Sequence, residues 1–212
     1  GIDLELPLMR MTYDEAMNRF GSDKPDLRFG FELTDLSSVL NGCGFKVFAG
    51  ASENGGSVRG INVKGGAKFS RKEIDSLTEF VKSYRAKGLA WYKNTAGAPT
   101  SSFAKFMTED EMNAIKEKCG AENGDVILIV ADKTATTLSV LGSLRQIVAK
   151  KLDIIPEKQY NLLWITEFPF FDWDEDAQQF VAMHHPFTSP MDECLDYLET
   201  DKEVRRMVSE WV

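Results

Sequence analysis

The longest uninterrupted apolar run in the sequence, Val126 to Ala131, places the strongest constraint on the fold. The run is far shorter than the roughly 18 apolar residues that a membrane-spanning helix needs. A short run without polar alternation is typical of a strand that is buried on both faces of a sheet. The chain has 212 residues, of which 43% are hydrophobic, so one large domain or two small ones can form around such a strand.

Three capping boxes mark the starts of helices. In a capping box, a Ser or Thr side chain and a Glu three residues later each accept a hydrogen bond from a backbone N–H of the first turn. The boxes are Thr12–Glu15, Ser70–Glu73 and Thr108–Glu111. Glycines predict the ends of these helices, at Gly21, Gly88 and Gly120. Helical spacing of apolar residues predicts a fourth helix, which starts at Thr134, Thr136 or Thr137 and reaches Leu152.

The segments between these helices are predicted to be strands. We expect strands at 45–49 and 58–63, joined as a hairpin by the Gly-containing turn 53–56, and further strands at 89–92 and 126–130. This order of elements predicts an α+β fold, in which helices back one face of an antiparallel sheet.

A second hairpin is predicted in the C-terminal third. Its strands are 161–171 and 179–183, and the acidic turn 172–176 joins them. A two-stranded hairpin is marginally stable alone, so we expect it to belong to a larger sheet. Residues 195–212 are predicted to be a charged helix.

Charge and cysteine content exclude several functions. Residues 1–31 carry a net charge of −2, residues 32–153 carry +3 and residues 154–212 carry −9. An acidic C-terminal third does not favour binding of phosphate groups by that segment alone, and the middle of the chain shows no basic stripe. Cys43, Cys119 and Cys194 are widely spaced, so we expect free thiols and no zinc site. The sequence shows no signal peptide, which favours the cytosol.

Two groups of residues are candidates for ligand binding. His184 and His185 follow a predicted strand, where imidazoles can bind a carboxylate or phosphate group near neutral pH. Alternatively, the two histidines cap or pack a strand–loop junction. The segment Asp23-Lys24-Pro25-Asp26 together with Arg28 either binds a polar ligand or forms local ion pairs in a solvated loop. This chemistry alone names no function.

Read together, several segments resemble one family, the bacterial-type aspartyl-tRNA synthetases. The segments are PLMRMTYDEAM (7–17), GSDKPDLRFG (21–30), GFKVF (44–48), KGLAW (87–91), EFPFF (167–171) and HHPFTSP (184–190). They follow the order of the family from about residue 5 to about residue 195. The second and the last segment are highly specific when they occur together.

The resemblance implies three segments and two domains. In this family, a class II catalytic domain with an antiparallel sheet is interrupted by an inserted α+β domain. The inserted domain would be 31–154, and the segments 1–30 and 155–212 would be parts of the catalytic domain. The resemblance also implies that Asp23, Lys24 and Arg28 lie in a loop at the entrance to the insert, where we expect a structural hinge.

The resemblance also implies an activity. The parent enzyme would activate L-aspartate with ATP and Mg²⁺ and transfer it to tRNA(Asp), as a cytoplasmic homodimer. His184 would belong to the aspartate pocket, and His185 would bind aspartate or support that pocket. The F-R-x-E motif and the later Gly-rich motif, which place ATP in class II enzymes, are absent from this sequence. We therefore expect an internal fragment that has no catalytic residue, holds no metal or cofactor, and is inactive alone.

Two alternatives come from the insert. The insert could act as a tRNA- or protein-binding module, although a net charge of +3 predicts only weak, salt-sensitive binding of nucleic acid. The same type of insert also occurs in a tRNA-dependent amidotransferase subunit. The flanking segments 9–13 and 184–188 resemble the synthetase instead.

Overall fold

A computed structural model describes residues 6–169, 171–174, 177–183, 188–197 and 209–211. By its internal packing, the chain divides into two compact units. The flanking unit consists of Gly1–Met17 and Tyr160–Val212, and the central unit consists of Asn18–Gln159. The assignment of 1–30, 31–154 and 155–212 to two domains of a synthetase stays a prediction.

The described residues form short strands and five α-helices. The strands are β1 (Met9–Thr12), β2 (Leu33–Asp35), β3 (Ser57–Val63), β4 (Ala90–Lys93), β5 (Thr100–Ser101), β6 (Val126–Asp132), β7 (Leu163–Thr166), β8 (Phe171–Asp174), β9 (Gln179–Ala182), β10 (Thr188–Pro190) and β11 (Ser209–Trp211). The helices are α1 (Tyr13–Phe20), α2 (Lys46–Glu53), α3 (Arg71–Ser83), α4 (Glu109–Lys118) and α5 (Thr134–Leu152). Short 3₁₀ turns occupy Gly66–Lys68, Ala104–Phe106 and Asp192–Tyr197.

The central unit is built on a five-stranded antiparallel sheet with the order β2-β3-β6-β4-β5. Strand β6 lies in the middle, where Ile129 pairs with Gly60 of β3 and Ala90 of β4. Every residue from Val126 to Val130 has 0% exposure. The apolar run is therefore the central strand that the sequence predicts, and the antiparallel α+β fold is confirmed.

Helices cover both faces of this sheet, so the expectation of helices on one face is wrong. One core contains Phe48 of α2 and Ile115 of α4, together with Ile127 and Ile129 of β6. Because side chains alternate along a strand, Leu128 points to the opposite face, where α5 packs against β3 and β6. A strand that is apolar at every position must be covered on both sides, which explains the two helical layers.

The predicted strand at 45–49 is wrong, because this segment begins helix α2. The spacing of three between Phe45, Phe48 and Ala51 puts these side chains on the core side of the helix. Phe48 and Ala51 are buried, and the rings of Phe45 and Phe48 meet edge to face at 4.8 Å. Lys46 and Val47 are exposed. Residues 53–56 are consequently the end of a helix and a loop rather than a hairpin turn.

Two of the three capping boxes form completely, and the third forms the bond to its Thr side chain. The boxes at Ser70 and Thr108 make both reciprocal hydrogen bonds, and Thr12 Oγ1 accepts from the N–H of Glu15 at 3.1 Å. Gly21 and Gly120 follow their helices with φ of +66° and +57°, as expected for helix ends. Helix α3 stops earlier than Gly88.

The early end of α3 follows the limits of its buried face. Val81 is its last buried residue, and the exposed Tyr84 and Arg85 follow it. Arg85 adopts a left-handed conformation, with φ of +69°. From the sequence, this conformation is expected at Gly88 instead. Helix α5 begins at Thr134, one of the predicted starts.

The flanking unit departs from the predicted long hairpin. Residues 161–171 do not form one strand: β7 pairs in parallel with β1, and the hairpin joins β8 to β9. Pro169 separates β7 from β8, and a proline has no N–H to continue a ladder of hydrogen bonds. The predicted C-terminal helix is wrong at 209–211, where β11 pairs antiparallel with β10, whereas residues 195–197 lie in a 3₁₀ turn.

The length and hydropathy of a helix decide whether it can span a membrane. Within the described residues, none of the helices combines the length and the apolar character of a membrane span.

Candidate functional site

His184 and His185, the histidines predicted to bind substrate, lie outside the described residues. In the sequence they stand between β9 and β10. Their role in binding aspartate therefore stays a prediction.

The loop that follows α1 contains the other candidate residues. Arg28 forms a bidentate ion pair with Asp26, with Nε–Oδ1 at 2.9 Å and Nη2–Oδ2 at 2.7 Å. Its remaining nitrogen, Nη1, donates to the carbonyl oxygen of Pro156 at 3.2 Å. The hydrogen bonds from Arg28 lower the pKa of the Asp26 carboxyl. Arg28 thus connects the chain that leads into the central sheet with the chain that leaves α5.

Asp23 and Lys24 do not join this ion pair. The backbone N–H of Lys24 donates to Ser22 Oγ at 3.0 Å, which is a local turn contact. The side chain of Lys24 is exposed and that of Asp23 is half-buried. The structure therefore does not gather Asp23, Lys24 and Arg28 into one binding site.

A buried arginine on α5, which the sequence analysis does not single out, holds the same loop. Arg145 has 1% exposure. Its Nε donates to the carbonyl oxygen of Phe31 at 2.9 Å, and its Nη2 donates to those of Gly30 at 2.9 Å and Asp26 at 3.2 Å. Its guanidinium carbon lies 4.9 Å from the ring centres of both Phe20 and Phe29.

Burial lowers the pKa of Arg145 to about 10, so the guanidinium still carries its charge at neutral pH. The three carbonyl oxygens and the faces of the two rings replace the water that burial removes. A sequence signal for this role does exist: Arg145 interrupts the apolar pattern that Leu141, Leu144 and Val148 form on α5.

The start of the loop also packs directly on α5, through two glycines. A Cβ atom added to Gly142 would lie 2.2 Å from the carbonyl oxygen of Gly21. A Cβ atom added to Gly21 would lie 2.1 Å from the carbonyl oxygen of Leu138. Two backbones can approach this closely only where neither residue has a side chain.

A cleft of about 580 Å³ lies beside this loop. Its charged groups already have partners: Arg28 pairs with Asp26, and Lys64 pairs with Glu122 and Asp125. Burial raises the pKa of the Cys119 thiol, which also lines the cleft, to about 11. A thiol that stays protonated is a weak nucleophile. The geometry therefore supports a structural role for the cleft.

One comparison with known families matches the central part of the chain. Residues 48–141 match the GAD domain family. This match begins within α2, contains β3, α3, β4, β5, α4 and β6, and ends within α5. Among the described residues, no group of three or more His, Cys, Asp or Glu side chains is placed to hold a metal ion.

The whole chain is similar to aspartate–tRNA ligases. The chain is 57% identical over 202 residues to that of Ruminiclostridium cellulolyticum and 52% identical over 202 residues to that of Clostridium perfringens strain SM101. It is 51% identical over 207 residues to the aspartate–tRNA(Asp/Asn) ligase of Bacillus cytotoxicus. The matches cover 95–97% of this chain and 34–35% of the relatives. The chain thus spans about a third of the length of these relatives, and the resemblance noted in the sequence is confirmed.

Proposed function

We propose that this chain is an internal part of an aspartate–tRNA ligase that activates L-aspartate with ATP and transfers it to tRNA(Asp). The observation that carries the proposal is continuous similarity over 95% of the chain, at 57% identity, to an enzyme of that name. The similarity includes both the flanking unit and the central unit.

In the proposed enzyme, residues 31–154 are the inserted domain, and residues 1–30 and 155–212 belong to the catalytic domain. The GAD match at 48–141 lies inside the proposed insert. The hydrogen bond between Arg28 and Pro156 also supports this division, because an insert must leave and re-enter its host at neighbouring points. We propose that the ion pair of Asp26 and Arg28 holds Arg28 in place for its hydrogen bond to Pro156, where the chain enters and leaves the insert.

The proposed reaction has two steps. A carboxylate oxygen of aspartate attacks the α-phosphorus of ATP, which releases pyrophosphate and forms aspartyl-adenylate. A ribose hydroxyl at the 3′ end of the tRNA then attacks the acyl carbon and releases AMP. Within this chain, His184 would hydrogen-bond to aspartate, and His185 would bind aspartate or support His184.

ATP and Mg²⁺ are substrate and metal of the proposed enzyme. The residues that the structure describes do not fit either of them, because the charged groups that line the cleft beside the loop are already paired and no metal-ligand cluster is present. We assign these residues no step in adenylate formation. We further propose that the enzyme is a cytoplasmic homodimer.

The relatives of this chain carry two names, aspartate–tRNA ligase and aspartate–tRNA(Asp/Asn) ligase. The chain is 52% identical both to an aspartate–tRNA ligase and to an aspartate–tRNA(Asp/Asn) ligase. Relatives with either name are thus more than half identical to the chain over the matched third.

A chimera tests the proposal. The matched third of the Ruminiclostridium cellulolyticum enzyme is replaced by this chain, and charging of tRNA(Asp) with radiolabelled aspartate is measured beside the unmodified enzyme. We expect aspartate to be charged at a rate within about tenfold of the parent rate, with asparagine and glutamate as control substrates. A chimera that melts like the parent enzyme but charges no aspartate would contradict the proposal.

A further inference from the structure

A groove runs across the central sheet beside α2 and is separate from the loop that Arg145 holds. Its volume is about 520 Å³, within the range of protein binding pockets. Apolar side chains line it, namely those of Phe45, Val47, Phe48, Ala51, Leu89, Ala90, Ile129 and Ala131. We refer to it as the α2 groove.

The α2 groove exists because small residues occupy its walls. Gly50 on α2 and Gly88 before β4 both line the groove. A Cβ atom added to either glycine would meet no atom within 4 Å. Close packing therefore does not demand glycine at these positions, and Gly50 in addition weakens a helix of eight residues.

The two charged residues that line the α2 groove are both basic, and the carboxylate of Asp132 beside it accepts a hydrogen bond from the backbone N–H of Lys87 at 3.1 Å. Lys46 and Lys87 line it, and both are exposed. Neither ammonium group has an ion pair or hydrogen bond within the described part of the chain. No Asp or Glu lines the groove, although the chain carries 33 acidic residues and a net charge of −8.

An aromatic stack continues the same surface. The ring of Phe45 lies between the rings of Phe103 and Phe106, with centroid distances of 5.9 and 5.4 Å. Phe106, the outer ring, is 47% exposed, as is Val47. Lys105 Nζ lies 4.8 Å from the centre of the Phe106 ring. The surface is thus apolar and basic over a larger area than the groove alone.

We propose that the α2 groove binds an acidic protein segment, which inserts an apolar side chain into the groove and places flanking carboxylates beside Lys46 and Lys87. Compact ammonium groups without partners are suited to carboxylates, and an apolar side chain gains most from an apolar floor. The proposal does not depend on the ligase function.

The polar groups of the α2 groove disfavour RNA as its occupant. Ser102 Oγ already accepts from the N–H of Trp91 at 3.0 Å, and the Asn54 side-chain amide donates to the carbonyl oxygen of Gly50 at 2.6 Å. A nucleobase buried in the groove would leave donors and acceptors on its edge unpaired, which costs free energy. An aliphatic or phenyl side chain has no such groups.

Selection from an unbiased library of 12-residue peptides displayed on phage tests the proposal, with the 212-residue chain as bait. We expect the selected peptides to share Leu, Ile or Phe next to Asp or Glu. Affinity of a selected synthetic peptide should fall at least tenfold in Gly50→Leu, whose side chain fills the groove, and in the double variant Lys46→Glu, Lys87→Glu.

Two matched controls separate loss of the α2 groove from changes in helix propensity and in net charge. Gly50→Ala makes the same change of backbone propensity without filling the groove. Lys68→Glu with Lys72→Glu reverses the charge of two exposed lysines, one in the 3₁₀ turn before α3 and one in the first turn of α3, and neither lines the groove. Peptide affinity should stay within about twofold of wild type in both controls, and thermal melting should show that every variant folds.

Several outcomes would overturn the proposal. They are the absence of any selected peptide, a consensus that lacks acidic residues, and equal loss of binding in the control variants. A fluorescein-labelled 12-nucleotide oligouridine that binds wild type, is lost in Gly50→Leu and is not displaced by the peptide would assign the groove to RNA instead.

Discussion

The backbones of Gly21 and Gly142 touch, so closely that a methyl group on Gly142 would lie 2.2 Å from the carbonyl oxygen of Gly21. Gly142→Ala must therefore push the start of the loop away from α5. We expect a loss of about 1–3 kcal/mol of stability, measured by urea unfolding, although alanine favours helix formation elsewhere.

The control for this variant is Gly50→Ala, because Gly50 also lies inside a helix but meets no atom within 4 Å. We expect Gly50→Ala to leave stability unchanged or to raise it by up to about 1 kcal/mol. If Gly142→Ala and Gly50→Ala stabilise the chain equally, then the close approach of Gly21 does not exclude a side chain at position 142.

Removal of the guanidinium of Arg145 should destabilise the chain strongly. Arg145→Met leaves the carbonyl oxygens of Asp26, Gly30 and Phe31 without their buried donor. We expect a loss of about 3–5 kcal/mol in urea unfolding, and only partial recovery in Arg145→Lys, because an ammonium group cannot reproduce the planar fork. Lys82→Met, which removes one exposed ion pair with Glu79, should cost less than about 1 kcal/mol. If Arg145→Met lowers the free energy of unfolding as little as the control does, then the hydrogen bonds from Arg145 do not hold the loop.

Glu73 should make the stability depend on pH in the acidic range. Hydrogen bonds from Lys151 and from Ser70 lower its pKa from 4.5 to about 2. A carboxyl whose pKa is lower in the folded state stabilises the fold above pH 4.5, and this contribution is lost as the pH falls towards 2. The side-chain ¹³C resonance of Glu73 should therefore titrate near pH 2. In Lys151→Met its midpoint should move up towards 4.5, whereas Lys82→Met should leave it in place.

The sequence resemblance predicts a substrate role for His184. In the chimeric enzyme described above, we expect His184→Ala to lower kcat/KM for aspartate by roughly 5- to 150-fold, which corresponds to one lost hydrogen bond of about 1–3 kcal/mol. The value of kcat/KM for ATP should change less. An unchanged kcat/KM for aspartate would remove His184 from the pocket.

The 212-residue chain should fold but form no aspartyl-adenylate. Positioning of two substrates accounts for about 7–11 kcal/mol of a reaction barrier, and the described residues provide no clamp for the phosphates of ATP. The measurement is aspartate-dependent exchange of pyrophosphate into ATP. Exchange that stays with the chain through repurification from host synthetase would contradict the prediction.

Local signals in the sequence predict the elements whose cause is local. The capping boxes at Ser70 and Thr108 form as predicted because each one satisfies its own backbone groups, and Thr12 Oγ1 accepts from the N–H of Glu15 for the same reason. Strand β6 follows from its composition alone. In contrast, the apolar segment at 45–49 suits either a strand or one face of a helix, and only packing against Phe103 and β6 selects α2.

The loop around Asp26 shows why the candidate site is harder to predict than the fold. Asp26 and Arg28 are two residues apart, so a local ion pair between them can be predicted from the sequence as the alternative to ligand binding. Arg145 is more than a hundred positions away, so its hydrogen bonds to the loop depend on the tertiary structure. Its place inside an apolar helix face marks Arg145 as unusual, but the sequence does not say which carbonyl oxygens it meets.

The hydrogen bond from Arg28 to Pro156 has a consequence for the order of folding. It joins residues that are 128 positions apart. Closing a flexible loop of that length costs about 4 kcal/mol of chain entropy, whereas one hydrogen bond contributes about 1 kcal/mol. We therefore expect the bond to form after β3, β6 and α5 have drawn the two ends of the central unit together. The pairing of the segments around Arg28 and Pro156 should then be among the last contacts of this unit to form and among the first to open.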